Sequence, residues 1–422
     1  MTGPHVLYVT PIFGYPAFGG PRLRTYNTLR ALARTAQTSL YLTQQPDTPD
    51  REQARAHVLS FCHDVVFPDQ PARPPLMRRL MRRAVPASLR ARLQKHRQDS
   101  QATQRDPAVV AGLRSWIDDN HPDVVWLGFG GISYDLVDAL RDDLRVPLVL
   151  ETECVWSRFI LRELPFESNP ARRERILAEG RTQEAEERRG AHYVDITTAV
   201  SEVDAAYFRS IAPSPDRVML VANVIDVDAY LDDDSRAQLE QPALLFAGTL
   251  SQGTANVDAA VWLVDQIMPE VWRLWPDVHL YLVGRSPAAP ILARRGPRVH
   301  VTGEVPSIVP YLRASAAALV PLRWESGTRF KILEAFACRT PVISTTLGAE
   351  GLDVEDDRHL LIADDAAAFA RSIVLVLDQP DVCSSLVEPA FQLVRDKYDL
   401  PVAAQQIGSV LQRLGLRQVA RA

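Results

Sequence analysis

The chain has 422 residues, 46% hydrophobic and 23% charged, a balance that fits full apolar cores and excludes a disordered or fibrous chain. That length exceeds what a single core usually serves, so two domains are expected. A net charge of -5 excludes any general attraction to nucleic acid or anionic membrane. No apolar run is long enough to span a bilayer, and the first residues lack the basic region of a secretion signal, so a cytoplasmic protein is expected. Cys62, Cys154, Cys338 and Cys383 lie far apart, with no histidine at a ligand-like offset. They read as reduced thiols rather than disulfides or a metal centre.

"HVLYVT" (His5–Thr10) is a short apolar run followed by a Gly/Pro-rich loop and by "RLRTYNTLRALAR", which has helical spacing. "TSLYLT" (38–43), "DVVWLG" (123–128), "VPLVLE" (146–151) and "YVDITTAVS" (193–201) read as further strands. Their apolar runs are continuous rather than alternating, as in a parallel sheet covered on both faces. The same grammar restarts at "PALLFAGT" (242–249). It passes through a long helix around "VDAAVWLVDQIMPEVWRLW", the strands "VHLYLVG", "RVHVTG" and "AAALVPL", a further helix, and the strand "PVIST". Strands alternating with helices, twice over, imply an α/β protein of two doubly wound domains. The expected division is residues 1–225, an acidic, strand-free linker at 226–241, and 242–399. A terminal helix at 400–418 is expected to pack back on the first domain.

One stretch departs from this grammar. Residues 73–97 carry nine Arg or Lys and no acid. Met77, Leu80, Met81 and Ala84 fall on one side of a helix, and Arg78, Arg79, Arg82 and Arg83 on the other. Two readings stand: a peripheral contact with anionic lipid, or a solvated helix packed on the first domain and cut short by Pro86.

The chemistry concentrates in "SGTRFKILEAFACRTPVIST" (326–345). Thr328 is placed to cap a helix running to about Cys338, with Phe330, Leu333 and Ala337 toward the core. Arg329 and Lys331 then sit at the amino end, where free N–H groups and the helix dipole already favour an anion and two cations are unfavourable by themselves. A bound phosphate would remove the conflict. Glu334, one turn on, is placed to accept hydrogen bonds from sugar hydroxyls. The competing reading pairs Lys331 with Glu334 at the surface. The segment begins at the carboxyl end of a strand, where doubly wound sheets bind nucleotides. Gly248 and Gly303 end neighbouring strands, with Thr302 beside the latter.

With these motifs in place, "GTRFKILEAFACRTPVISTTLGAEGL", "FAGTLSQGTANVDAAVWLVDQIMPEVWRLWPDVHLYLVG" and "VHVTGEVPSIVPYLRASAAALVPLR" resemble the donor domain of the family-4 glycosyltransferases. The N-terminal part, with "FGGPRLRTYNTLRAL" and "ANVID" (222–226), is similar over most of its length. The resemblance implies the GT-B fold: two Rossmann-like domains with an interdomain cleft, the donor in the second and an acceptor in the first. It further implies a nucleoside-diphosphate sugar as co-substrate, transfer with retention, and no metal or other cofactor. Carried over by position, Arg329 and Lys331 contact the diphosphate and stabilise the leaving group, while Glu334 holds the ribose. Gly19 and Gly20 form a close-approach loop facing the donor, and Glu325, Ser326, Gly327 and Thr328 complete its surroundings. Positioned cations and helix N–H groups supply such stabilisation electrostatically.

The departures from the family pattern are specific. Relatives commonly have two glutamates separated by seven residues, whereas here Ser326 stands at the first position, with Glu325 adjacent. Where relatives often place a D-x-H pair after a strand of the first domain, "VLETECVWSR" supplies Glu151 and Glu153. Those carboxylates, with Trp156 and Trp126, suit a cationic acceptor, and Arg22 or Arg24 can take a carboxylate on the same molecule. That reading predicts an aminocyclitol, amino-acid or betaine-like acceptor. The competing reading pairs Glu153 with Arg158 and puts Trp156 in the core. With three lysines among 47 basic residues, the chain suits a GC-rich bacterium, whose natural-product, glycolipid or polysaccharide pathways all fit. Rival functions are a nucleotide-sugar epimerase or hydrolase and an inactive nucleotide-sugar-binding protein.

Overall fold

A computed structural model describes residues 3–68 and 106–416. The basic stretch 73–97 lies outside the described residues. Two wholly parallel sheets organise the rest. The first contains β1 (His5–Thr10), β2 (Gln37–Leu42), β3 (Asp64–Val66), β4 (Val124–Leu127), β5 (Leu148–Glu151), β6 (Ile196–Ala199) and β7 (Val218–Leu220), in the order β3-β2-β1-β4-β5-β6-β7. The second contains β8 (Ala243–Ala247), β9 (His279–Val283), β10 (Val299–Gly303), β11 (Ala317–Val320), β12 (Val342–Ser344) and β13 (Leu361–Ile362), in the order β10-β9-β8-β11-β12-β13. Every residue of β4, β5, β6 and β11 is buried. That is why these strands read as unbroken apolar runs: helices cover both faces, and no face is left for polar side chains.

In each sheet the chain starts at a central strand, winds one way, then reverses. The reversals fall between β1 and β4 and between β8 and β11. Loops leaving the two strands at such a point go to opposite faces of the sheet, which leaves a crevice at their carboxyl ends.

Three short strands, β3, β7 and β13, have no counterpart among the sequence expectations. Each has two or three residues and lies at a sheet edge, too short for a run to show. The linker is strand-free as expected but carries the helix Val227–Leu231, with Val227 buried. The long helix of the second domain contains a π-helical turn at Leu263–Ile267 just before Pro269, whose ring and missing N–H disrupt the regular ladder. The terminal helix, Leu400–Arg413, ends short of 418 and packs against Gly20–Thr35 of the first domain. Gln406 accepts a hydrogen bond there from the Ala222 N–H (2.8 Å).

Candidate active site

The helix after β11 spans Phe330–Ala337, with Arg329 rather than Thr328 at its N-cap. Thr328 instead accepts a hydrogen bond from Asn223 Nδ2 (2.7 Å) and so ties this loop to the end of the first domain. The helix is buried nearly all round: Phe330, Ile332, Leu333, Ala335, Phe336 and Ala337 are inside. Lys331 and Glu334 alone among its residues keep partial exposure.

Those two side chains do not pair with each other. Lys331 Nζ donates to Asn256 Oδ1 (2.7 Å) and lies 4.7 Å from the centre of the Phe246 ring. Glu334 Oε1 accepts from the Tyr230 hydroxyl (3.0 Å). The surface-pair reading is therefore corrected, and both groups line one small cavity with Ala247, Ile308 and Val320 at the reversal between β8 and β11. Burial pushes the Lys331 ammonium down to about 8, the nearby Arg329 adds to the effect, and Glu325 and Glu334 oppose it. Burial also raises the Glu334 carboxyl, against the Tyr230 hydrogen bond and Lys331. A desolvated cation beside free helix N–H groups is a favourable place for an anion.

Arg329 behaves differently. It is 5% exposed, and its guanidinium donates to the carbonyls of Ser326 (2.9 Å), Gly327 and Leu347 (3.2 Å). It braces the loop that opens the helix rather than reaching out from it. Glu325 sits in the same field, its carboxyl raised by burial and pulled back by Arg329 and Lys331. Ser326 is buried, and its hydroxyl has no partner. Gly248 is packed against Asn256, Thr302 is exposed, and Gly303 ends β10 with open space beside it.

From the first domain, Gly19 caps the helix Gly20–Thr35 at a φ of 77°, and a Cβ on Gly20 would lie 3.4 Å from the Phe330 ring. The amino ends of two helices, one from each domain, thus face the same space. Arg22 pairs with Asp47 and lies in the fields of Arg285 and Glu304, which follow β9 and β10 of the second domain. Gly327, at φ +78°, is pressed against the first domain so closely that a Cβ would fall 2.6 Å from the Glu153 carbonyl oxygen and 2.8 Å from Cys154 Cβ.

Three residues expected to meet an acceptor are enclosed instead. Arg24 Nε donates to Glu151 Oε1 (2.6 Å), Thr28 donates to the same oxygen (3.0 Å), and Trp126 Nε1 donates to Glu151 Oε2 (2.8 Å). Arg24 also donates to the carbonyls of Val221 and Ala222. With exposures of 2%, 1% and 0% for Arg24, Glu151 and Trp126, this network offers no surface to a ligand. A buried carboxylate has to be neutralised from nearby, and Arg24 does it. Glu153 and Trp156 remain at the domain interface. Trp156 Nε1 donates to Glu153 Oε1, while Oε2 is buried and unpartnered. Arg158 goes to Asp204 instead, which corrects the expected local pair. Burial pushes the Glu153 carboxyl up to about 7, against the Trp156 hydrogen bond.

Several participants gave no signal in the sequence. Arg162 bridges the domains with two bonds to Glu350 (2.8 and 2.7 Å) and one to the Glu325 carbonyl (2.7 Å). Asn256 and Tyr230 hold Lys331 and Glu334, and only tertiary contact brings them together. Arg285 had a visible cue, since it follows Gly284 directly at the end of β9.

Residues 241–379 match the family model described as glycosyl transferases group 1. A curated protein, an uncharacterized 44.6 kDa protein in the cps region of Klebsiella pneumoniae, is 22% identical over 165 residues, covering 37% of this chain and 42% of that protein. The chain thus spans less than half the length of the curated relative it matches. Among solved structures, sucrose-phosphate synthase from Thermosynechococcus elongatus superposes with a TM-score of 0.70 at 17% identity, covering 97% of this chain and 99% of that one. The Anabaena Alr3699/HepE protein in complex with UDP-glucose gives 0.64 at 13% identity over 97% and 99%. WaaG, a glycosyltransferase involved in lipopolysaccharide biosynthesis, gives 0.64 at 16% over 95% and 100%. The fold is GT-B, and residues 241–379 within it are similar to the glycosyl transferases group 1.

Proposed function

We propose that the protein transfers a sugar from a nucleoside-diphosphate donor to an acceptor in the cleft, with retention and without a metal. The observation that carries this reading is the meeting of two helix amino ends, Gly20–Thr35 and Phe330–Ala337, with Lys331 in the first turn of the second. A diphosphate between them would receive N–H groups from both domains and the ammonium of Lys331. Glu334, in the same cavity, would hold the ribose. Arg329 would act through its charge and by fixing the loop. In the transfer, the bond from the anomeric carbon to phosphate oxygen breaks. The acceptor bonds to that carbon on the face the phosphate leaves, and its proton passes to the leaving phosphate. Alr3699/HepE, structurally similar over nearly its whole length, carries UDP-glucose in its complex, which supports a donor of that kind.

For a small cationic acceptor, only Glu153 and Trp156 remain of the expected carboxylate–aromatic set. A second reading, a glycan of the cell surface, is favoured by the cps-region relative and by the fold likeness to WaaG. A thermal-shift screen of UDP, GDP, dTDP and ADP identifies the nucleotide, because a ligand of the native state raises apparent stability. Donor panels with and without acceptor then test the reaction. Nucleotide release that depends on acceptor supports transfer, whereas sugar conversion or hydrolysis independent of acceptor overturns it.

A further inference from the structure

The second sheet brings two imidazoles and a carboxylate together at the end remote from the cleft. His279 is the first residue of β9, and His300 lies on β10, the edge strand beside it. Their ring nitrogens, Nδ1 of His279 and Nε2 of His300, are 2.9 Å apart. Glu240, three residues before β8 begins, places carboxylate oxygens 3.7 Å from His279 Nε2 and 3.8 Å from His300 Nε2. One ligand atom from each of the three lies within 4.8 Å of the others. The four steps from His279 to the cleft end of β9 span roughly 13 Å at about 3.3 Å per residue, so this cluster is separate from the donor crevice.

We propose that Glu240, His279 and His300 form a binding site for a borderline divalent transition-metal ion of the zinc class. Two imidazoles and one carboxylate suit such ions and leave room for water in the remaining positions. At Zn–N distances of about 2.0–2.1 Å, tetrahedral ligands stand about 3.3 Å apart, so the two rings need to separate by only a few tenths of an ångström. Tyr281 holds the parts in place. Its ring stacks on His300 with centroids 4.5 Å apart, and its hydroxyl accepts from the Glu240 N–H (2.8 Å). The Glu240 side chain is 66% exposed, so it is free to swing onto an ion. The proton that now joins the two rings would shift to the other nitrogen of the ring that carries it, so that both imidazoles bind as neutral ligands. The bound ion would clip the end of the linker to the edge of the second sheet.

The test uses tag-free, chelator-treated full-length protein titrated with zinc chloride, read by calorimetry and by thermal shift. One saturating ion per chain and a rise in melting temperature are expected. His279→Ala with His300→Ala should abolish the tight step, and Glu240→Gln, which replaces an anionic ligand by a neutral amide, should weaken it at least about tenfold, the lower end of the cost of losing even an outer-shell partner. Both variants should keep the thermal shift with nucleoside diphosphate, which shows that the fold is intact. No saturable binding by the wild type, or equal binding by wild type and variants, overturns the proposal. Should the double variant fail to fold, Glu240→Gln decides, because its residue is exposed: unchanged affinity refutes the site.

Discussion

Replacing Lys331 with Met separates a binding role from a structural one. The substitution keeps an apolar stem against Phe246 and removes the ammonium that donates to Asn256. Burial lowers that ammonium from 10.5 to about 8, which at about 1.4 kcal/mol per pH unit is a cost of roughly 3 kcal/mol for holding the charge there. Losing the hydrogen bond to Asn256 returns about 1 kcal/mol of that. The variant is therefore expected to melt at the wild-type temperature or a few degrees higher. Transfer should fall by about 10²–10³, the scale for deleting one preorganised charge-stabilising group. The wild-type kcat/KM should also decline as pH rises through about 8, as the ammonium deprotonates, and this limb should vanish in the variant. Melting curves, nucleotide release and a pH series read all three. A variant that keeps turnover would falsify the leaving-group role; one that unfolds while the donor still binds would make Lys331 a structural residue.

Three other outcomes follow from the geometry. Glu151→Ala leaves Arg24 buried without its carboxylate, so stability should drop by about 3–5 kcal/mol; an unchanged melting curve with a raised acceptor KM would instead return Glu151 to the acceptor site. Gly327→Ala combines a left-handed backbone, costing about 1–2 kcal/mol, with a Cβ 2.6 Å from the Glu153 carbonyl oxygen. It should lower the melting temperature and raise the donor KM, and a wild-type donor KM would mean that this contact does not shape the cleft. Glu153 titrates near 7 when folded against an ordinary 4.5, so the folded state holds the extra proton between those values. Its contribution is full below about pH 4.5 and is lost as pH rises through about 7, by about 3 kcal/mol in all. In Glu153→Gln the melting temperature should change less over that window, and an identical slope in both proteins would show that Glu153 does not titrate there.

The parts of this protein that a linear reading reached are those in which local pattern and tertiary role coincide. Continuous apolar runs such as "DVVWLG" are strands because a parallel sheet covered on both faces leaves them no polar side. The conflict of two cations at one helix start marked the segment that faces the cleft. Edge strands of two or three residues carry no such pattern. The surface pairing of Lys331 with Glu334 was plausible by spacing, and it fails because Asn256 and Tyr230, distant in sequence, arrive first.

By itself, then, the sequence determined two α/β domains, their order, and a helix start crowded with cations in the second, since periodicity and local charge act over a few residues. Only the tertiary structure decided which charged groups stay open to a ligand. It enclosed Glu151 with Arg24 and turned Arg329 into its own loop. It also set His279 against His300 across adjacent strands. These outcomes depend on which segments the sheets place side by side. Burial makes each such pairing compulsory, because a desolvated charge must find its partner wherever the fold supplies one.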